Sequence, residues 1–267
     1  MPRQRPARVA SAPGRPLVLV PGACLGGWVW RDVARELRGR GHEAYPVTLT
    51  GLGERVHLAH AAVDLETHIQ DVVNLLECED LEEVVLVGHS YAGVVVTAVA
   101  DRVPRRLDAV VYLDASPLPD GVAIADVQPP EQRQRQRDAV AERGQGWRWP
   151  VPDRETLLTG VFGSTSGLHE EHLRLIAERA TPHPYATMTS PLQLTREGPP
   201  AMRRAAILCA DGGIGVERLR ELAARGDRRA AIFADSDWEL HELPTGHWPM
   251  LSEPARLADL LCELASP

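Results

Sequence analysis

The chain has 267 residues, 44% of them hydrophobic, and a formal net charge of -8 at pH 7. That composition is globular, with length for one large domain or for a core carrying an insertion. The acidic balance, without a basic stripe, argues against a nucleic-acid partner, and no apolar run reaches membrane-spanning length.

Residues 1–15 are rich in Pro, Arg and Ala and lack the apolar core of a signal peptide, so a disordered tail and a cytoplasmic address are expected. Leu17-Val18-Leu19-Val20 reads as a buried strand and ends at Pro21-Gly22. A glycine-rich loop then leads to Trp28 and a helix near Val29 to Arg38, and Ala44 to Val47 is a second short strand. Leu65, Ile69, Val72, Val73 and Leu76 recur at helical spacing. Val84 to Val87 is a third strand, Val94 to Ala100 a helix apolar nearly all round, and Leu107 to Leu113 a fourth strand. Strands alternating with helices predict a parallel, doubly wound sheet.

That rhythm breaks after Asp114. From 116 to 204 no clear strand is expected; helices are predicted over Glu131 to Arg143, Arg154 to Leu158 and Glu170 to Ala180, with Trp147 and Trp149 in a loop. This segment reads as a helical cap inserted between core segments 16–115 and 205–267, and Gln132 to Arg137 as a solvated helix face. Strands return at Ala205 to Cys209 and Trp238 to Leu243, separated by an amphipathic helix through Leu219 and Leu222; a last helix carries Leu257, Leu260 and Leu261. Cys24, Cys78, Cys209 and Cys262 are widely spaced without a CxxC pair, so they read as free thiols in a reducing compartment rather than a disulfide frame or zinc site.

The chemistry concentrates at Gly88-His89-Ser90-Tyr91-Ala92-Gly93, between the third strand and its helix. Gly-x-Ser-x-small in that setting is a nucleophile elbow, in which a sharp turn lifts the serine hydroxyl above the sheet. A serine nucleophile needs a base, and the base needs an acid to orient it. His247, in Thr245-Gly246-His247-Trp248-Pro249 after the last strand, is the expected base; His241 lies within that strand, and His89 is expected to point away from Ser90. Asp211, in Cys209-Ala210-Asp211-Gly212-Gly213, is the favoured acid and Asp114 the alternative; Asp235 and Asp237 are outsiders. The backbone N–H groups of Ala23 and Tyr91 are the expected oxyanion donors. Trp28, Trp147 and Trp149 are candidate walls for a substrate.

Pro21 to Trp30, the elbow at Ser90, Tyr112-Leu113-Asp114-Ala115 and Gly246 to Leu251 together resemble the α/β-hydrolase fold superfamily. Within it they are similar to bacterial esterases related to plant methylesterases and hydroxynitrile lyases, and Thr181-Pro182-His183-Pro184 looks like this branch too. The resemblance implies Ser90 as nucleophile, His247 as base, and Ala23 and Tyr91 at the oxyanion. Relatives place the acid one or two residues further past the strand, where Gly212 and Gly213 stand, so a shortened loop would be needed for Asp211 and Asp114 serves otherwise. The lyases carry a threonine at the position of Gly22 and a lysine at that of Trp248, so cyanohydrin cleavage is not expected.

The reading that follows is a serine hydrolase cleaving a small or medium carboxylic or aryl ester or a lactone through an acyl-enzyme. It implies no metal and no organic cofactor, and leaves a homodimer open. One rival is a non-hydrolytic enzyme on the same scaffold, a cyclase, decarboxylase or lyase of aromatic natural-product biosynthesis. Another is a ligand-binding protein with a silent triad.

Overall fold

The structure, a computed structural model, describes residues 14–196, 198, 202–227, 230–234 and 236–266. The tail expected over 1–15 lies outside the described residues up to 13, while Gly14 and Arg15 already belong to the first strand; Asp235 also lies outside the described residues. In chain order the first half comprises β1 (Gly14–Val20), α1 (Arg31–Gly39), β2 (His42–Pro46), α2 (Leu65–Cys78), β3 (Val84–His89), α3 (Ala92–Arg102) and β4 (Leu107–Leu113). The chain then leaves the sheet through α4 (Pro130–Arg143), β5 (Arg148–Trp149), α5 (Arg154–Leu158), α6 (Glu170–Arg179), β6 (His183–Pro184) and α7 (Ala186–Thr189). It returns through β7 (Arg203–Cys209), α8 (Val216–Ala224), β8 (Trp238–Leu243), α9 (Pro249–Ser252) and α10 (Pro254–Leu264).

Six strands form one sheet in the order β2-β1-β3-β4-β7-β8, and every neighbouring pair is parallel. Alternation along the strands divides the core in two. Leu17 and Leu19 of β1 face one layer with α1, α9 and α10, whereas Val18 and Val20 face the other with α2 and α3. The α2 helix starts at an Asp64 cap whose carboxylate accepts from Thr67 N–H, and its Leu65, Ile69, Val72, Val73 and Leu76 are buried, as the spacing predicts.

Two details differ from the sequence reading. Arg148 and Trp149 pair antiparallel with His183 and Pro184, a two-residue ladder too short to register as a strand pattern. And β7 begins at Arg203, because Arg203 and Arg204 already pair with Ala109 and Val110 of β4; arginine at a strand end leaves no apolar signal.

Candidate active site

The β3 strand is buried throughout and runs straight into the turn at Ser90, whose φ of 52° lies in the left-handed region that non-glycine residues rarely enter. Ser90 N–H donates to Leu113 O at 3.1 Å, and Gly93 N–H to Ser90 O at 2.9 Å, so neighbouring β4 and the first turn of α3 hold the strained residue. A side chain at Gly88 would meet Val96 Cγ2 at 2.7 Å and Ala92 O at 2.8 Å, so only glycine lets the helix turn back so closely on the strand.

His247, between β8 and α9, spans the gap between a hydroxyl and a carboxylate. Its Nδ1–H donates to Asp114 Oδ2 at 2.5 Å, which leaves Nε2 to accept from Ser90 Oγ at 2.9 Å. Asp114 follows β4 directly, with φ of 44°. Its own N–H donates to Ile207 O at 2.8 Å, and Cys209 N–H donates to its Oδ1 at 3.3 Å. Burial pushes the Asp114 carboxyl upward, but the hydrogen bond and charge of His247 outweigh it, and the group lies below its ordinary range.

The structure therefore brings Asp114, not Asp211, to His247. Asp211 is exposed; its N–H donates to Thr245 O at 3.0 Å and its carboxylate accepts from Ser166 Oγ at 3.2 Å. The loop after β7 offers no better position, since a side chain at Gly213 would lie 2.2 Å from Cys209 O. The preference for Asp211 is corrected on these contacts.

On the other side of Ser90 stands a buried network that sequence reasoning missed. Tyr91 OH donates to His68 Nδ1 at 2.9 Å, and His68 Nε2–H donates to Thr50 O at 2.9 Å. His183 Nδ1 accepts from Cys24 N–H at 3.1 Å, and its Nε2–H donates to Thr187 Oγ1 at 2.8 Å. Thr181 N–H adds a bond to Cys24 O at 2.9 Å, so the segment around β6 grips the loop in which Cys24 adopts φ of 64°. The Tyr91 ring packs on His183, with centroids 4.7 Å apart. Burial keeps both imidazoles uncharged: His68 is pushed down to about 4, and His183 falls well below its ordinary value. Among the described residues, neither the Ala23 nor the Tyr91 N–H meets a backbone acceptor.

His89 is also closer to the chemistry than expected. Its ring lies 4.7 Å from that of His247, and its Nε2–H donates to His247 O at 2.7 Å. Burial, reinforced by the neighbouring His247, lowers it to about 3, so it is a neutral prop for the loop rather than a base. The signal for these three histidines was weak, because a histidine in an apolar helix or loop has no distinguishing periodicity.

Ser90 and His247 open into a cavity of about 320 Å³ whose floor includes Ala23 and Tyr91. Trp149 and Phe162, with ring centroids 5.1 Å apart, wall it from the inserted segment, and Trp248 borders it from α9. Of the three tryptophans expected to line a substrate site, only Trp149 does. Trp28 packs against the core layer of α1 and α10, and Trp147 carries the Arg148 guanidinium 5.4 Å above its ring. The Gln132 to Arg137 stretch is not wholly solvated either, since Gln132 and Gln136 turn inward to this cavity.

Among the described residues, no cluster of His, Cys, Asp or Glu is arranged to hold a metal ion, and no helix is long and apolar enough to cross a membrane. A model of the alpha/beta hydrolase family matches residues 17–260. A carbendazim hydrolyzing esterase from a Nocardioides species is 34% identical over 248 residues, covering 92% of this chain and 98% of that one. Methylesterase 10 of Arabidopsis thaliana is 26% identical over 270 residues, covering 93% and 91%. An extracellular alpha/beta-hydrolase from a Paenibacillus species, a solved structure, superimposes with a TM-score of 0.76 at 21% identity, over 94% of this chain and 99% of that one.

Proposed function

The chain belongs to the alpha/beta hydrolase family, and on that premise we propose that it is a carboxylic ester hydrolase working through a Ser90 acyl-enzyme. One observation carries the reading: an unbroken hydrogen-bonded line from Asp114 through His247 to Ser90 on the floor of a cavity.

Ser90 Oγ attacks the ester carbonyl carbon while its proton passes to His247 Nε2. Asp114 keeps the Nδ1 proton in place beforehand and stabilises the imidazolium afterwards. The carbonyl oxygen, now negative, is met by the N–H groups of Ala23 and Tyr91, donors set in advance by the network around His183 and His68. Collapse of the tetrahedral intermediate expels the alcohol, which takes the proton from His247. A water molecule, deprotonated by the same Nε2, then releases the acid and restores Ser90. No step draws on a metal or cofactor. The segment expected over 116–204 acts as the cap up to the start of β7 at Arg203, with Trp149 as a wall. All four cysteines are unpaired, which supports a cytoplasmic address.

Ser90→Ala is expected to lower the turnover of p-nitrophenyl acetate by about a million-fold and to abolish labelling by a fluorophosphonate, with an unchanged thermal transition. Wild-type turnover in that variant would overturn the assignment. Incorporation of heavy oxygen from labelled water into the released acid separates hydrolysis from a lyase or cyclase reaction.

A further inference from the structure

The helix that covers the active-site cavity carries an unexpected polar stripe. Gln128, just before α4, and Gln132 and Gln136 within it recur at four-residue intervals and all border the cavity. The four-residue spacing places Gln132 and Gln136 on one face of the helix, and Gln128 borders the cavity from the extended segment before it. Gln136 is 2% exposed, and neither its Nε2 nor its Oε1 meets a protein partner among the described residues. Gln128 Oε1 is likewise buried without a protein partner. Gln132 is engaged at 3.4 Å with Val161 O.

Away from Ser90 and the two histidines the wall is mostly apolar, with Trp149, Phe162, Leu157 and Ile176 among its residues. Among the described residues, none that borders the cavity is Asp, Glu, Lys or Arg. An amide left unpaired in such surroundings costs on the order of 1–3 kcal/mol, which a ligand recovers if it offers a matching acceptor and donor. A hydrocarbon cannot do this, and a carboxylate or ammonium would enter without a counter-ion. The same Gln132 and Gln136 side chains also border an adjoining hollow beyond α4, so the amide sits at the partition between the two spaces.

We propose that Gln136 is a specificity-determining residue for esters that also carry a neutral amide-like group, such as a carboxamide, lactam, urea or carbamate, whose N–H and carbonyl pair with the Gln136 amide. The inference rests on the esterase reading for its substrate, but the recognition it describes does not require turnover. The ester carbonyl would lie at Ser90 and the amide-like group at α4, with a flat apolar body between them against Trp149 and Phe162.

Two matched probes test it. Benzamide and acetophenone differ only in NH₂ against CH₃, and their binding to the Ser90→Ala protein is measured by calorimetry. Benzamide is expected to bind at least about tenfold more tightly, the worth of one or two neutral hydrogen bonds. In Ser90→Ala/Gln136→Leu the ratio is expected to fall to about one. Gln136→Met, unbranched and similar in length, gives the same reading if the leucine variant does not fold. In the active enzyme, kcat/KM for 4-carbamoylphenyl acetate over 4-acetylphenyl acetate is expected to follow the same pattern.

Equal binding of the two probes by the Ser90→Ala protein, with water satisfying Gln136, would overturn the proposal. So would a preference that survives both substitutions at 136. Selective benzamide binding by a protein that hydrolyses no ester would support the proposal and overturn the esterase reading instead.

Discussion

On one side of Ser90, His247 donates its Nδ1 proton to a carboxylate; on the other, Tyr91 and Cys24 hang on His68 and His183, which burial keeps uncharged. The first arm is assembled from the ends of sheet strands and, in the mechanism proposed above, handles a proton. The second is assembled from α2 and the segment around β6, and it holds backbone N–H groups still. A charge that moves during the reaction calls for a fixed counter-charge, whereas an oxyanion that appears only transiently is best met by dipoles already in place. The same side chain, an imidazole, thus serves opposite purposes according to what surrounds it.

The comparison breaks most visibly at the charged arm. Asp114→Asn keeps the shape but offers His247 Nδ1 an amide, so the ring no longer holds the tautomer that leaves Nε2 free to accept from Ser90. A fall in kcat of about ten-thousand-fold is expected, while Asp211→Asn, which alters only an exposed contact with Ser166, should stay within about threefold of wild type. The reverse order, measured with p-nitrophenyl acetate, would return the acid to the loop after β7. In a His247→Ala background, Asp114→Asn should add almost nothing, since residues that act as a unit do not contribute additively.

The neutral arm is tested by His183. Removing its ring in His183→Ala frees Cys24 N–H and leaves a gap beside Tyr91, so the two proposed oxyanion donors lose their common support. A fall in kcat of about ten- to a hundredfold with little change in KM is expected, less than the loss of a donor itself. His183→Gln, which can still accept from Cys24 N–H, should recover part of the rate. A KM effect alone would mean that the network shapes the substrate cavity and leaves the oxyanion donors untouched.

The charged arm was half legible in the sequence. Ser90 stands between an apolar strand and an apolar helix, and His247 follows the last strand, so order and context pick out the two side chains that the structure joins by a hydrogen bond. The carboxylate that meets His247 was not legible, because Asp114 and Asp211 each follow a strand end and differ only in geometry. The positive φ at Asp114, the reach across to Cys209 N–H, and the clash that a side chain at Gly213 would meet are three-dimensional facts. The neutral arm was hardly legible at all. His68 sits on the buried face of α2 beside expected core residues, and His183 lies in a proline-flanked turn, so neither carries a pattern that separates a partner from a packing residue. Gln136 lies in the Gln132 to Arg137 run, whose uninterrupted polar and charged residues read as a solvated helix face; the four-residue glutamine interval from 128 to 136 is the available signal, and it becomes meaningful only when the cavity is seen beside it.

The smallest effect separates the two arms along the pH axis. For His68 the folded value is about 4 against 6.5 for the free side chain, so between those values the unfolded chain binds a proton that the folded chain does not. Stability is therefore present in full above about 6.5 and is lost as pH falls toward 4. Asp114 is also lowered in the folded state, but its contribution is present above the ordinary carboxylate value and is lost only as pH falls below it. Between pH 6.5 and 4.5 the neutral histidines should thus dominate the loss and Asp114 should contribute little. Scanning calorimetry over that window should show the wild-type Tm falling with pH, and His68→Gln, which has no proton to take up, should flatten the fall by about 5 °C. Asp114→Asn should leave the slope in this window as it is in the wild type. A slope that Asp114→Asn flattens and His68→Gln does not would mean that the charged arm, not the buried imidazoles, sets the acid sensitivity of the fold.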